Sequence, residues 1–227
     1  MNVPEYLSAR RAYALVRQTL PASGRVTFEE LAILCHLANA EGPLRTSQIA
    51  EYQGVLRPTM THRTSHLARL GLIVRSNGRQ DRRSVCCELS DDGSSRLEAL
   101  LEDMCSQIKA PMPLSRCSAR RMASIVDAMG SVSLSSSELV LLGLATSEAG
   151  ALAVCELVEL LGLLQPTVSM AVSSLVGQGL VRRGATPDAP RQNRVVLEEA
   201  GAVRAARLGE AVEALRVHNA RRGHRAE

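Results

Sequence analysis

The sequence predicts a mainly α-helical protein with small β-hairpins, built from two tandem copies of one domain. An internal repeat carries this prediction, because residues 54–59 (GVLRPT) recur as residues 162–167 (GLLQPT) at an offset of 108 residues. The same offset later pairs Gly93 with Gly201. A period near half of the 227-residue chain indicates two domains, since solenoid repeats are roughly 20–50 residues long. Apolar residues at three- and four-residue spacing predict helices in both copies.

The composition allows each copy its own hydrophobic core. Hydrophobic residues make up 45% of the chain and the net charge is only +4, so charge bears on association rather than on fold. The longest apolar stretch, residues 139–145, is far shorter than the roughly 20 residues that a membrane span needs. The N-terminus lacks the basic-then-apolar run of a secretory signal. We therefore expect a soluble, cytoplasmic protein.

Cysteine, histidine and motif patterns predict neither catalysis nor a bound metal or cofactor. The six cysteines form no C-x-x-C pair, and Cys35 and Cys86 lie in an apolar helix and a strand, which predicts inert, reduced thiols. His62 and His66 have a metal-compatible spacing, but no cysteine or carboxylate joins them on that face and zinc needs three or four ligands. The chain also lacks a glycine-rich phosphate loop, a G-x-S-x-G elbow and an H-E-x-x-H motif.

The first copy opens with three predicted helices. The first helix places five side chains on one apolar face: Tyr6, Ala9, Tyr13, Val16 and Leu20. Thr27 and Glu30 form a capping box that starts the second helix, and Thr46 or Ser47 caps a short third helix that ends near Gln53.

A fourth helix follows a tight turn, because Pro58 suits a first helical turn, where its missing N–H would have no partner. Four side chains should face the core: Met60, Thr64, Leu67 and Leu70. The opposite face is polar and carries Arg57, Thr59, Thr61, His62, Ser65, His66 and Arg69. A polar helix face after a tight turn is what the reading of a DNA groove requires.

Two short strands, near residues 72–74 and 85–89, flank an arginine-rich tip, so the copy reads as a helix-turn-helix followed by a wing. The next helix carries an apolar stripe that requires a partner helix, formed by Leu97, Leu100, Leu101, Met104 and Ile108. Two prolines near residue 111 break this helix. We therefore expect a first domain at residues 1–110 and a second at residues 111–227.

The second copy repeats this plan, with a capping box at Ser135 and Glu138 and a wing near residues 187–191. Its reading helix exposes side chains without charge: Gln165, Thr167, Ser169, Met170 and Ser173. The helix either reads bases by amide, hydroxyl and apolar contact or is a structural copy that no longer enters the groove, because counterion release there is weak. The two halves are expected to pack as a pseudo-two-fold dimer through stripes on residues 6–20, 97–108, 122–129 and 208–215.

The first copy resembles the MarR (multiple antibiotic resistance) family of winged-helix regulators. Asp81 and Arg83 stand two residues apart and are followed by Leu89-Ser90 and Gly93, all behind the helix-turn-helix. The resemblance implies that Arg83, held by Asp81, enters the minor groove while the helix from Arg57 to His66 lies in the major groove. In the second copy an aspartate sits one position early, so only Arg191 aligns.

Two such modules in one chain resemble the double-length members of the staphylococcal accessory regulator (Sar) group, which look like a dimer fused into one polypeptide. The resemblance implies a DNA-binding transcriptional regulator, such as a repressor, that works as a monomer on double-stranded DNA; a homodimer is the alternative. It also implies a small-molecule effector, for which Tyr6 and Tyr13 are candidate contacts, although core packing is the favoured interpretation of both residues. A scaffold that binds another regulator is the alternative function.

The DNA contacts are assigned to both reading helices and both wings. The assigned residues are Arg57, Thr59, Thr61, His62, Ser65, His66, Arg79, Asp81, Arg83, Gln165, Thr167, Ser169, Arg191 and Arg194. Neutralising Arg83 separates a DNA reader, which would lose DNA binding, from a scaffold, which would not.

Overall fold

Each copy of the repeat folds as helices around a three-stranded antiparallel sheet. The computed structural model describes residues 1–77, 84–108, 117–186 and 189–218, with the backbone alone at 185–186 and 189–193. The elements through the first copy are α1 (Val3–Thr19), α2 (Phe28–Asn39), β1 (Leu44–Arg45), α3 (Thr46–Gln53), α4 (Arg57–Arg69), β2 (Ile73–Asn77), β3 (Val85–Leu89) and α5 (Asp91–Ser106). The remaining elements are α6 (Ala119–Met129), α7 (Ser136–Ala145), β4 (Ala151–Ala153), α8 (Val154–Leu161), α9 (Gln165–Gly177), β5 (Val181–Thr186), β6 (Ala189–Leu197) and α10 (Glu199–Glu213).

The two predicted capping boxes are confirmed at equivalent helix starts. The backbone N–H of Thr27 donates to Glu30 Oε2 at 2.7 Å, while the Glu30 N–H donates to Thr27 Oγ1. Ser135 and Glu138 make the same reciprocal bonds at the start of α7. The prediction for α3 was wrong, because the N-cap is Arg45, whose N–H donates to the side chain of Gln48. These bonds satisfy backbone donors that a helix start leaves unpaired.

The glycines of the repeat are required by geometry that is the same in both copies. A side chain at Gly93 would place its Cβ 1.9 Å from the carbonyl oxygen of Leu72, and one at Gly201 would place it 2.0 Å from that of Leu180. These approaches seat the start of α5 and the start of α10 directly against the chain that enters each sheet. Only glycine allows such contacts, which explains why the offset of 108 residues is kept there.

Each sheet has a third strand that the sequence did not predict. The strand orders are β1-β3-β2 and β4-β6-β5, and all neighbours are antiparallel. Ile73 pairs with Leu89 in one sheet, and Val181 pairs with Leu197 in the other. The edge strands β1 and β4 are too short to show the alternation that identifies a strand in a sequence.

The chain forms two contact units that exchange their flanking helices. One, here called the first-copy unit, contains residues 19–133 and the described residues after Leu215; the other, the second-copy unit, contains residues 1–18 and 134–215. This division departs from the expected boundaries of 1–110 and 111–227, because α1 packs with the second copy and α6 with the first. Both helices have an apolar face, and sequence order does not determine which copy buries it.

Side-chain bonds fix α1 to the helix-turn-helix of the second-copy unit. Arg11 Nε donates to the carbonyl oxygen of Glu159 at 2.8 Å, and Gln18 Nε2 donates to that of Gly162 at 2.7 Å. Both acceptors lie at the end of α8 or just after it. The first helix of the chain therefore supports the turn before α9.

In the first-copy unit, α6 is held by a polar cluster. Asp127 accepts hydrogen bonds from Asn39 on α2 and, at its backbone oxygen, from the hydroxyl of Tyr52 on α3. His36 Nδ1 lies 3.0 Å from Asp127 Oδ1, and the His36 ring stacks on Tyr52 with 3.8 Å between centroids. Burial, with the Asp127 charge, raises the pKa of the Tyr52 hydroxyl, which therefore remains a donor.

The predicted apolar stripes are buried in large part. Their buried members are Tyr6, Ala9, Tyr13, Val16, Leu97, Leu101, Met104, Met122, Ile125, Val126, Met129, Val212 and Leu215. Ala211, which lies within the predicted stripe on residues 208–215, is exposed, while Leu20, Leu100, Ile108 and Leu208 are half-buried. Tyr6 and Tyr13 are thus core residues of the second-copy unit.

Cysteine burial is uneven across the chain. Cys35 is fully buried, and burial together with the charge of Asp127 raises its thiol pKa well above the ordinary value. Cys86 is half-buried in β3, whereas Cys155 is exposed on α8.

The described helices include none that is by itself long and apolar enough to cross a membrane; α8 and α9 pass that test only as a pair, bent by 116°.

Candidate nucleic-acid interface

Helix α4 is the predicted reading helix of the first copy, and its core side is largely as expected. Met60, Thr64 and Leu67 are buried, whereas Leu70 is half-buried just after the helix. The Thr64 hydroxyl donates to the carbonyl oxygen of Met60 at 3.0 Å, which satisfies the only polar group on the buried stripe. Pro58 lies in the first turn, as predicted.

The outward face of α4 presents a cationic and hydroxyl-rich surface. Four of the predicted contact residues are exposed there, together with Arg69 of the predicted polar face: Arg57, Thr59, Thr61 and His62. Leu56, the residue before the helix, is 78% exposed. Because Arg57 and Arg69 stand at opposite ends of the helix, a cation flanks the hydroxyl and imidazole groups on either side.

Two predicted contact residues, Ser65 and His66, are instead held by neighbouring elements. Arg75 on β2 donates to Ser65 Oγ at 2.6 Å. His66 Nδ1 lies 2.6 Å from Oε1 of Glu30, whose side chain is 5% exposed. His66 was expected to face the groove; in the structure its Nδ1 faces Glu30, because a buried carboxylate on α2 requires a partner and position 66 lies at the border of the buried face.

Sequence reasoning missed a polar connection behind α4. Arg63 donates to Gln53 Oε1 at 2.5 Å, and the buried Gln53 amide donates to the backbone oxygen of Glu29 at 2.7 Å. These bonds join α4, α3 and α2. The available signal was the position of Gln53 four residues after the buried Ile49, which places a polar side chain on the core face of α3.

Helix α9 exposes a different surface at the equivalent place. Gln165 and Ser173 are exposed and Thr167 and Ser169 are half-buried, and no residue of α9 is charged. Three large apolar side chains in or beside α9 are exposed: Leu164 at 58%, Met170 at 74% and Val176 at 39%.

Two arginines that follow α9, Arg183 and Arg194, differ in exposure and in hydrogen-bond partners. Arg183 is exposed and donates to Ser173 Oγ at 3.3 Å, which repeats the bond between Arg75 and Ser65. Arg194, predicted to contact DNA, instead donates to the backbone oxygen of Ala151 at 3.2 Å and lies 3.5 Å from Glu156. Its side chain is 22% exposed, so Arg194 ties β6 to β4 and α8.

The wing tips carry the remaining predicted contacts. Arg79, Asp81 and Arg83 lie outside the described residues. Arg191 lies in β6, where only the backbone is described. These four assignments stay predictions from the sequence.

Comparisons with protein families match both copies. A model described as the MarR family matches residues 26–85, and one described as bacterial regulatory protein, arsR family, matches residues 141–183. These segments contain α4 and α9 with most of the helices before them. A search of the curated proteins found no match.

An exposed helix after a tight turn, followed by a small antiparallel sheet, defines a winged helix-turn-helix protein that binds DNA. Both copies have this form, and both matched families are regulatory. The two matches support a MarR-type winged helix-turn-helix transcriptional regulator with two tandem helix-turn-helix units, a DNA-binding class whose partner is double-stranded DNA.

Proposed function

We propose that the protein recognises a specific DNA sequence by placing α4 in the major groove and its wings in the minor groove. The observation that carries this proposal is the exposed face of α4, where Arg57 and Arg69 flank Thr59, Thr61 and His62. Charged and hydrogen-bonding groups on one exposed helix face suit a surface of phosphates and base edges.

The two kinds of side chain on α4 have separate roles in this proposal. Arg57 and Arg69 neutralise phosphates, which fixes the helix on the duplex without reading its sequence. Thr61 and His62 contact base edges, because hydroxyl and imidazole groups supply the donors and acceptors that distinguish base pairs in the major groove. Arg83 and Arg191 add wing contacts.

Residues behind α4 hold the helix at a fixed angle rather than contact DNA. His66 is paired with Glu30, and Arg63 donates to Gln53. Charge-assisted hydrogen bonds of this kind are stronger than neutral ones and constrain orientation. They favour a preorganised reading helix.

One chain is sufficient for one operator in this proposal, because it contains two reading helices. The contributions are unequal, since α4 carries Arg57, Arg63 and Arg69 whereas α9 itself carries no charged residue. Phosphate neutralisation sets most of the affinity and its salt dependence. The buried Tyr6 and Tyr13 have no assigned role in ligand binding.

The experiment compares operator and random duplexes by fluorescence anisotropy over a series of salt concentrations, with the operator mapped by footprinting at the gene's own promoter. Arg57→Ala plus Arg69→Ala should weaken binding to both duplexes and lower the salt slope by about two, or about one for each phosphate contact. His62→Ala should instead reduce discrimination between operator and random DNA by about 1–3 kcal/mol.

The control is Arg120→Ala, which removes one exposed arginine from α6, a helix that packs on α2 and α5. It should leave both affinity and discrimination close to wild type. A folded wild-type protein that binds neither duplex would contradict DNA recognition and favour the scaffold alternative. Proportional losses in all variants would contradict the division of roles.

A further inference from the structure

The exposed surface of α9 is apolar to an extent that core packing does not explain. Met170 is 74% exposed, and Leu164 and Val176 are 58% and 39% exposed. A cluster of exposed apolar side chains on a soluble domain generally marks a contact surface. The matching segment of α4 has one such residue, Leu56, and polar or charged side chains elsewhere.

The repeat shows which α9 residue takes the place of a reading residue. At the offset of 108 residues, Met170 corresponds to His62 and Gln165 to Arg57. Both α9 side chains are exposed, as are their α4 counterparts. Met170 therefore occupies the position from which α4 is proposed to contact a base edge.

An apolar side chain has one matching group among the base edges of the major groove, the C5-methyl of thymine. Methionine suits this contact because its thioether is flexible and polarizable. Gln165 supplies an amide of the kind that pairs with the N6 and N7 atoms of adenine. The two side chains together match an A·T pair or two neighbouring ones.

A cation beside α9 favours DNA over a protein partner for this surface. Arg183 is exposed on β5 and donates to Ser173 Oγ, so its guanidinium is held next to the exposed face of α9. Guanidinium groups bind phosphate in a bidentate geometry. A face with base-reading groups inside and a cation at its border fits a groove of the duplex.

We propose that α9 reads its half-site through thymine methyl groups, with Met170 as the specificity-determining contact. This inference rests on the proposed function, because it requires that the chain binds an operator through both helices. The ligand class is A·T-containing duplex DNA in the half-site opposite to the one bound by α4.

The test replaces thymines of the mapped operator one at a time with 2′-deoxyuridine, which removes only the C5-methyl. Binding of the full chain is measured by anisotropy for wild type, Met170→Ala and Met170→Leu. For wild type, at least one replacement should weaken binding about fourfold, the value for one buried methyl-sized group. Met170→Ala should weaken binding to the thymine operator and lose the sensitivity at that position, and Met170→Leu should retain part of it.

His62→Ala provides the matched control, because it alters the equivalent position of α4. It should weaken binding to the thymine and deoxyuridine operators alike, so that the ratio between them at the Met170-dependent position is kept. The inference is overturned if no replacement weakens binding, or if Met170→Ala keeps the full sensitivity. It is also overturned if Met170→Ala binds the operator like wild type, the outcome expected of a surface for a protein partner. If the folded wild-type chain bound no DNA at all, the proposed function would be overturned instead.

Discussion

Helices α4 and α9 hold the same place in two copies of one fold and differ at every arginine and histidine of α4. The exchanged pairs are Arg57/Gln165, His62/Met170, Arg63/Ala171, His66/Ser174 and Arg69/Gly177. The residues that build the fold are retained, including the capping boxes and the glycines packed against each sheet. The comparison shows that backbone geometry constrained the framework while the surface of each helix diverged.

The difference extends behind the two helices. In the first copy Gln53 and Arg63 form a polar connection, whereas the equivalent residues Leu161 and Ala171 are buried apolar side chains. Hydrogen bonds of Gln53 with Arg63 and Glu29 therefore hold α4 from behind, and apolar packing takes their place behind α9. These bonds define the angle of α4 in the first copy, since hydrogen bonds are directional and apolar contacts are not.

The largest expected effect is a loss of stability on replacing the glycines that both copies pack against a backbone oxygen. Gly93→Ala and Gly201→Ala each force a Cβ against a backbone oxygen at about 2 Å. Each should lower the free energy of unfolding of its own unit by about 3 kcal/mol or more. Urea denaturation measures the loss. Gly42→Ala is the control, because a Cβ there meets nothing within 4 Å; losses no greater than in this control would contradict the close approach.

A smaller effect separates the two capping boxes. Glu30→Ala removes an acceptor of both the Thr27 N–H and His66 and should cost about 2–3 kcal/mol, because Glu30 is buried and charged. Glu138→Ala removes the equivalent cap and a half-exposed pair with Arg204 and should cost about 1 kcal/mol.

Thermal and urea unfolding of both variants measure this difference. Glu30→Gln serves as the matched variant, since glutamine still accepts the capping bond but lacks the charge that faces His66. It should recover part of the loss caused by Glu30→Ala. Equal costs for Glu30→Ala and Glu138→Ala would show that the His66 contact adds nothing to the cap.

The smallest effect is a pH dependence confined to the second copy. Burial raises the pKa of Glu138, but hydrogen bonds from Ser135 and the Arg204 guanidinium outweigh it and hold the pKa below the ordinary 4.5. A lowered pKa in the folded state contributes stability above the unfolded pKa, and this contribution is lost as the pH falls through the folded pKa. Below pH about 4.5, wild type should therefore lose stability more steeply than Glu138→Gln. If the stability of the two proteins fell in parallel as the pH was lowered, this role of Glu138 would be contradicted.

The repeat made much of the fold predictable, because its glycines, prolines and capping residues determine local backbone geometry. Thr27, Glu30 and Pro58 marked helix starts correctly, and the buried side of α4 followed from spacing. The short strands β1 and β4 were not predictable, since a strand of two or three residues has no periodicity. The assignment of α1 to the second-copy unit and of α6 to the first-copy unit was also not predictable, because an apolar helix face does not by itself determine which copy buries it.

The candidate site was predictable where a residue is exposed and not where a buried partner competes for it. Arg57, Thr61 and His62 lie on the outward face as expected. His66 and Arg194 were assigned to DNA but are engaged by Glu30 and Glu156, which are distant in sequence. Pairing of this kind depends on tertiary contacts that the helical repeat does not encode.

Sedimentation of the chain with a labelled operator tests the unequal pair of reading modules most directly. Wild type should form a complex of one chain per operator. Arg57→Ala plus Arg83→Ala should abolish the complex, and Gln165→Ala plus Arg191→Ala should weaken it by less, because released counterions set most of the affinity. Two chains per operator, or equal losses from the two double variants, would contradict the account.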